Sequence, residues 1–388
     1  MRPGVDPSVS IPVRTADFDY TLPPDLIAQA PVPERDRSRL MVLDRRAGAL
    51  RHRIFRNLPD YLVAGDLLVI NEAKVIPARL IGRSERGHRI EMLLLHEVNA
   101  DSDSRYTGPD RWEALIKPSR QVRIGDRLSL ADGTITAEVR EKRGEGRHLL
   151  KLTYNGTLVD LLWRVGHMPV PPYIKRQSIG SRVKGIEENN LSTSLNPKPY
   201  PLDPVLLDRE RYQTVYAKHE GAIAAPTAGL HFTPDLIEAL TRQGIIVTPI
   251  TLYVGPGTFR PVRVDQVAQH RVEPERYIIP EQTALAVKTA RREGRRVIAV
   301  GTTTVRTLEH AAVDGDVRSG TGVTDLFIYP GYRFKSIDGL ITNFHLPRST
   351  LLMLVSAFAG MENVLAAYRE AITWRYRFYS YGDAMLIV

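Results

Sequence analysis

The pattern of apolar and polar positions divides this chain into three stretches. In the first, residues 17–65, short apolar runs alternate with turn residues. Residues 23–28 open a short helix, 38–43 read as a strand, and 45–48 turn the chain. Residues 50–55 alternate as a returning strand, and Asn57 starts a short element that Gly65 closes. In the second stretch, residues 67–154, strand-length segments follow one another at 66–71, 78–83, 89–95, 111–117, 127–130, 134–140 and 148–154. Gly, Pro and Asp punctuate them and no long 3.6-residue period intervenes, which predicts an all-β barrel or sandwich.

The third stretch alternates strand and helix. Strands are expected at 245–254, 296–300, 324–329 and 340–344, and helices at 283–293, 302–312 and from Leu351. This alternation predicts an α/β domain with partly parallel strands. Between the second and third stretches lies a short helix at 157–165. Residues 168–174 then form an extended connector, because Pro169, Pro171 and Pro172 fix φ and remove donors. Residues 177–209 are polar and proline-rich and read as a mobile insertion loop, residues 99–110 as a surface loop, and residues 1–15 as a flexible tail.

Four loops of the α/β stretch share one design, at 227–233, 255–259, 301–306 and 343–350: a strand ends, small residues turn the chain, and a hydroxyl or histidine precedes the next element. Loops at the carboxyl ends of strands gather around one crevice in such sheets. In the first of them, Thr233 is a suitable N-cap, Pro234 suits the first helical position, and His231 stands between turn and cap. On composition alone, His231, His345, Glu309 and Asp383 are the candidate proton-transfer groups. Taken singly, each loop also fits an ordinary connection whose histidine merely packs. No HExxH pair or Cys/His cluster suggests a metal, and Gly255-Pro256-Gly257 is neither a Walker loop nor a dinucleotide fingerprint.

Charge changes this picture. The 388 residues carry a formal net charge of +9, which favours an anionic partner, with nucleic acid the obvious large one. The basic residues are spread along the chain, so incidental basicity is the competing reading. Residues 374–381 interleave aromatic and basic side chains, as a surface that stacks bases does, or as a core strand with outward arginines does. The absence of cysteine excludes disulfides, thiolate metal sites and a cysteine nucleophile. With no signal-like N-terminus and no run of ~18–20 apolar residues, a cytoplasmic protein without a membrane span is expected, a monomer by default.

Longer motifs add a family. They are Arg37-Ser38-Arg39-Leu40, Pro77-Ala78-Arg79-Leu80, Pro171-Pro172-Tyr173-Ile174, Tyr212-Gln213-Thr214-Val215-Tyr216-Ala217, and Ala225-Pro226-Thr227-Ala228-Gly229-Leu230-His231-Phe232. Gly257-Thr258-Phe259, Gly301-Thr302-Thr303, Thr342-Asn343-Phe344-His345-Leu346-Pro347 and residues 379–387 complete the set. In this order they resemble the S-adenosylmethionine:tRNA ribosyltransferase-isomerases of queuosine biosynthesis. The chain departs from that family's usual residues at Tyr253, near Glu273, and at Glu72-Ala73.

The resemblance implies a discontinuous α/β domain (residues 16–65 and 156–388) with an inserted β-barrel domain (residues 66–155). It implies transfer and isomerisation of the ribosyl part of S-adenosylmethionine onto a 7-aminomethyl-7-deazaguanine base in a tRNA anticodon. Epoxyqueuosine forms, and adenine and methionine are released. S-adenosylmethionine is then a consumed substrate, and no separate cofactor is implied. On this reading His231 leads the acid/base work, His345 is second, and Asp383 or Glu309 orients groups or balances the sulfonium. Thr227, Gly229, Phe232, Gly255, Gly257, Gly301, Thr302, Asn343 and Phe344 are the expected S-adenosylmethionine wall, with Phe232 and Phe344 facing the cation. Arg39, Lys74, Arg79, Lys117, Arg348, Arg375 and Arg377 are the expected tRNA contacts. The rival readings are a catalytically silent or substrate-shifted RNA-binding paralogue, prompted by Tyr253 and Glu273, and an enzyme acting on a free nucleoside.

Overall fold

The computed structural model describes residues 13–98, 110–176, 204–255, 257 and 261–388. The expectations for residues 1–12, for the loop at 99–109, for most of the 177–209 insertion and for Pro256, Thr258 and Phe259 lie outside the described residues.

In chain order the elements are β1 (Arg39–Leu43), β2 (Leu50–Ile54), β3 (Leu67–Asn71), β4 (Ala73–Val75), β5 (Arg79–Ser84), β6 (Arg89–Glu97), β7 (Arg111–Lys117), β8 (Arg127–Leu130), β9 (Ile135–Gly144) and β10 (Arg147–Thr153). Then come α1 (Leu158–Val165), α2 (Pro204–Arg211), β11 (His219–Ala222), α3 (Pro234–Arg242), β12 (Ile246–Leu252), β13 (Glu275–Ile279), α4 (Glu281–Arg292), β14 (Val297–Val300) and α5 (Thr302–Ala311). The hairpin strands β15 (Ala312–Val313) and β16 (Asp316–Val317), β17 (Gly320–Thr324), β18 (Gly339–Asn343), α6 (Thr350–Ala359), α7 (Met361–Thr373) and β19 (Ala384–Ile387) complete the chain.

Two compact units result, one from the residues up to Val75 together with Gln213–Val388, the other from Ile76–Tyr212. In the first, the described residues form a nine-stranded sheet in the order β17-β13-β12-β3-β14-β18-β19-β1-β2. Its centre, β12-β3-β14-β18, is parallel, while β19 runs antiparallel to β18 and β1 parallel to β19. Every residue of β3, β14, β18 and β19 is buried. That is why these strands read as unbroken apolar runs: both faces of the sheet are covered. The register sets Asn343 beside Ala384, and Ala384 beside Leu40. The C-terminal end of β18 therefore meets the N-terminal ends of β19 and β1 along one end of the sheet's strands.

The second unit holds a closed antiparallel barrel in the order β10-β7-β6-β5-β8-β9. Its strands alternate, as in β8, where only Leu128 and Leu130 are buried, because one face fills the interior. The mixed α/β architecture with a β-barrel is thus present.

Three boundaries move. The barrel starts at Arg79 instead of residue 66, because Leu67–Asn71 is recruited as the parallel neighbour of β12 and β14. Its unit runs on past residue 155 through α1 to Tyr212, and residues 204–209, expected in the insertion loop, lie in α2. The tail ends before residue 15, since the Thr15 N–H donates to Asp265 O at 2.8 Å and its hydroxyl to Val264 O at 2.6 Å.

Candidate active site

Between β11 and α3 the chain makes a tight 3-10 turn, Thr227–His231. Thr233 caps α3 by accepting from Leu236 N at 3.1 Å, with Pro234 at the first helical position, so the local chemistry read from sequence holds. Gly229 needs no unusual backbone angle. A Cβ there would lie 2.1 Å from Tyr216 Oη and 2.8 Å from Thr214 Cγ2, so close packing within the protein requires the glycine. Phe232 is fully buried, edge-on to Phe55, with ring centroids 5.0 Å apart. It belongs to the core beneath the turn and presents no face to a cation. Phe344 is likewise fully buried, among Tyr368, Tyr376 and Phe378.

The turn carries His231 to the end of the sheet where β18, β19 and β1 meet. Ser38 Oγ donates to Arg35 O at 3.1 Å, which leaves its oxygen to accept from His231 Nδ1–H at 2.7 Å. His231 Nε2 then carries the lone pair and receives Asn343 Nδ2–H at 3.2 Å. The same amide donates to Tyr379 O at 3.1 Å, which fixes its orientation and leaves Asn343 Oδ1 buried without a hydrogen-bond partner among the described residues. Phe55 stacks on the imidazole with centroids 5.0 Å apart. Burial first, then the charges of Arg377 and Arg35, push the His231 pKa down to about 3. The site thus holds a neutral imidazole of defined tautomer, with an open amide oxygen beside it.

Asp383, directly before β19, closes the same end. Its carboxylate, 2% exposed, accepts from Arg39 N at 3.0 Å, Arg39 Nε at 3.2 Å and Arg377 N at 2.8 Å. Arg39 goes on to donate to Trp374 O at 2.7 Å and to Arg375 O, with its guanidinium 4.1 Å above the Tyr376 ring. Asp383 therefore clamps the first strand to the C-terminal segment.

Other expected residues lie elsewhere. Glu309 accepts from Ser336 Oγ at 2.7 Å, Lys335 N at 2.8 Å, Ser336 N at 2.9 Å and Tyr332 Oη at 3.1 Å. Its carboxylate folds the 332–336 turn, a structural role in place of the charge-balancing one. His345 Nε2 pairs with Thr342 Oγ1 at 2.7 Å, its N–H donates to Tyr368 Oη at 2.9 Å, and its carbonyl accepts from Tyr20. Gly301, at φ +96°, donates to Ile341 O and starts α5 with Thr302 buried. Gly255 N donates to Glu275 Oε1 at 3.1 Å, Glu275 pairs with buried Arg306 at 2.9 Å, and a Cβ at Gly257 would meet the Glu273 carboxylate at 2.8 Å. Thr227 is half-buried. The structure thus joins His231, Asn343 and Asp383 in one network, since Asn343 Nδ2 also lies 3.5 Å from Asp383 O, and links Gly255 to Arg306 through Glu275 in another.

Of the expected tRNA contacts, Arg39 and Arg377 are built into the clamp. Arg79 donates to Val170 O at 2.6 Å, Lys74 pairs with Glu220 at 2.9 Å, Arg375 pairs with Asp25 at 2.6 Å, and Arg348 pairs with Asp19. Lys117 is exposed. Sequence reasoning missed Arg35 and Ser38 as partners of the histidine turn, although Ser38 stands inside a motif quoted for the family.

Two buried neutral histidines make stability depend on pH. Burial holds His345 at about 3, as it does His231. An unfolded histidine takes its proton near 6.5, so the unfolded state binds protons first as pH falls. The stabilisation is complete above about pH 6.5 and drains away towards 3, with about 2 kcal/mol lost per histidine by pH 5. Urea midpoints at pH 7.5 and 5.0 check this. A lower midpoint at pH 5.0 is expected, and an unchanged one would refute it.

The chain is similar to known proteins over nearly its whole length. A family model described as "Queuosine biosynthesis protein" matches residues 15–387. An S-adenosylmethionine:tRNA ribosyltransferase-isomerase of Moorella thermoacetica is 51% identical over 379 residues, covering 97% of this chain and 100% of the relative. The one from Pelotomaculum thermopropionicum is 48% identical over 378 residues with the same coverage. A crystal structure of S-adenosylmethionine tRNA ribosyltransferase from Thermotoga maritima matches with a TM-score of 0.50 and 38% identity, covering 96% of this chain and 100% of that one. The chain belongs to the queuosine biosynthesis family of S-adenosylmethionine:tRNA ribosyltransferase-isomerases.

Proposed function

We propose that this chain transfers the ribosyl part of S-adenosylmethionine to a 7-aminomethyl-7-deazaguanine base at the wobble position of a tRNA anticodon. It isomerises that part to the epoxyqueuosine form and releases adenine and methionine. The observation that carries this is identity near 50%, over practically the whole chain, to relatives bearing that name. No observation favours a catalytically silent paralogue.

The reaction needs a base for a proton on the carbon beside the sulfonium, where the positive sulfur acidifies it. His231 fills that place in its neutral form. The proton sits on Nδ1, held by Ser38, so Nε2 is the acceptor. At rest His231 is neutral and carries no proton on Nε2, so it has none to give to departing adenine there; the imidazolium formed when it takes the substrate proton faces the positive charges of Arg35 and Arg377 and is short-lived. Asp383 acts through Arg39 as a positioning group. Asn343 Oδ1, Thr214 Oγ1 and Tyr216 Oη are buried polar atoms without partners among the described residues, and a bound substrate could supply the missing hydrogen bonds.

The net charge of +9 suits a polyanionic substrate. If three phosphates are neutralised, tRNA affinity should fall roughly 20-fold between 50 and 200 mM salt. A salt titration by filter binding, run beside an assay of adenine release, tests the reading. Affinity independent of salt, or adenine release without any need for tRNA, would contradict it.

A further inference from the structure

The aromatic and basic segment at 374–381 separates into two parts. Tyr376, Phe378, Tyr379 and Tyr381 are buried, so most of the segment serves the core. Trp374 does not: it is 56% exposed. Its indole lies on the imidazole of His52, with centroids 4.5 Å apart and planes 24° from parallel. His52 is fixed in turn, with Nδ1 2.9 Å from Tyr376 Oη and Nε2 3.4 Å from Glu370. The result is a large aromatic face, one side backed and the other open to solvent.

We propose that Trp374, backed by His52, is a stacking platform for an unpaired base of the RNA substrate, next to the nucleotide that reacts. This rests on the function proposed above. Stacking on an aromatic face is the usual way proteins hold unpaired bases, and it tolerates any base. Location supports it: Arg39 donates to Trp374 O from one end and holds the Asp383 carboxylate along its length, so platform and His231 network are one arginine side chain apart. Charge supports it too. The Arg375 side chain, 69% exposed, pairs with Asp25, itself 57% exposed. Such a surface pair is weak and can be exchanged for a phosphate.

The chain has three tryptophans, Trp112, Trp163 and Trp374. A Trp112→Phe/Trp163→Phe variant reports on Trp374 alone. Titration with an anticodon stem-loop should quench its fluorescence, and a fully paired RNA duplex of equal length should not. Trp374→Ala should weaken stem-loop binding about 10-fold, Trp374→Tyr less, with affinity for S-adenosylmethionine unchanged. Absent quenching, equal quenching by the duplex, or Trp374→Ala binding within about 2-fold of the unaltered chain would overturn the platform and leave the function standing. An unaltered chain that binds no stem-loop would overturn both.

Discussion

Replacing His231 by alanine is expected to lower the rate of adenine release about 10²–10⁴-fold, the usual contribution of a positioned proton-transfer group. The protein should stay folded, because the ring's partners can rearrange: Ser38 keeps its bond to Arg35 O, and Asn343 keeps its bond to Tyr379 O. The pH profile separates this role from a bland one. Burial holds the imidazole at about 3, so His231 stays neutral across the physiological range, with Nε2 free of a proton although weakly basic. The rate of the unaltered enzyme should therefore show no acid limb near pH 6.5 from this group. A near-unaltered rate in His231→Ala, or an acid limb near 6.5 that the variant abolishes, would remove His231 from the scheme.

Asp383→Ala should cost about 2–3 kcal/mol of stability, the range for leaving buried hydrogen-bond donors without their charged acceptor, since the arginine partners are themselves partly exposed. The carboxylate is 2% exposed and accepts from both Arg39 and Arg377 N–H groups. Without it, the Arg39 backbone N–H loses its acceptor at the end where β1 and β19 meet, and Arg377 loses its counter-charge. Asp383→Asn keeps the shape and removes the charge, so it should fall between the two. Urea unfolding measures all three. An alanine variant within about 1 kcal/mol of the unaltered chain would show that the clamp holds nothing.

Several elements of this site could be read from sequence, and the reason is local. Thr233 and Pro234 mark the start of α3 by their own chemistry, and β14 and β18 are apolar throughout because the sheet buries both faces. Other features depended on distant partners. Asp383 meets Arg39 across 344 positions of sequence, and Ser38 meets His231 across 193; no period or cap signals either. Residues 324–329 looked like a strand because Leu326, Phe327, Ile328 and Tyr329 favour one. The ladder instead ends at Thr324, and the Leu326 carbonyl is taken by Arg306 Nε at 3.0 Å. Nothing in the sequence around Glu309 signals that Ser336, Lys335 and Tyr332, more than twenty positions on, take up its carboxylate. The aromatic and basic pattern at 374–381 could not say which rings face inward, since only tertiary packing decides that.

The central claim is that the ribosyl carbons of S-adenosylmethionine end up in tRNA. The direct measurement uses S-adenosylmethionine labelled in its ribosyl carbons, and tRNA bearing the 7-aminomethyl-7-deazaguanine base. Label should enter the tRNA in step with equal amounts of free adenine and methionine. A label that stays on a small molecule, or a tRNA that gains only a methyl group, would contradict the account.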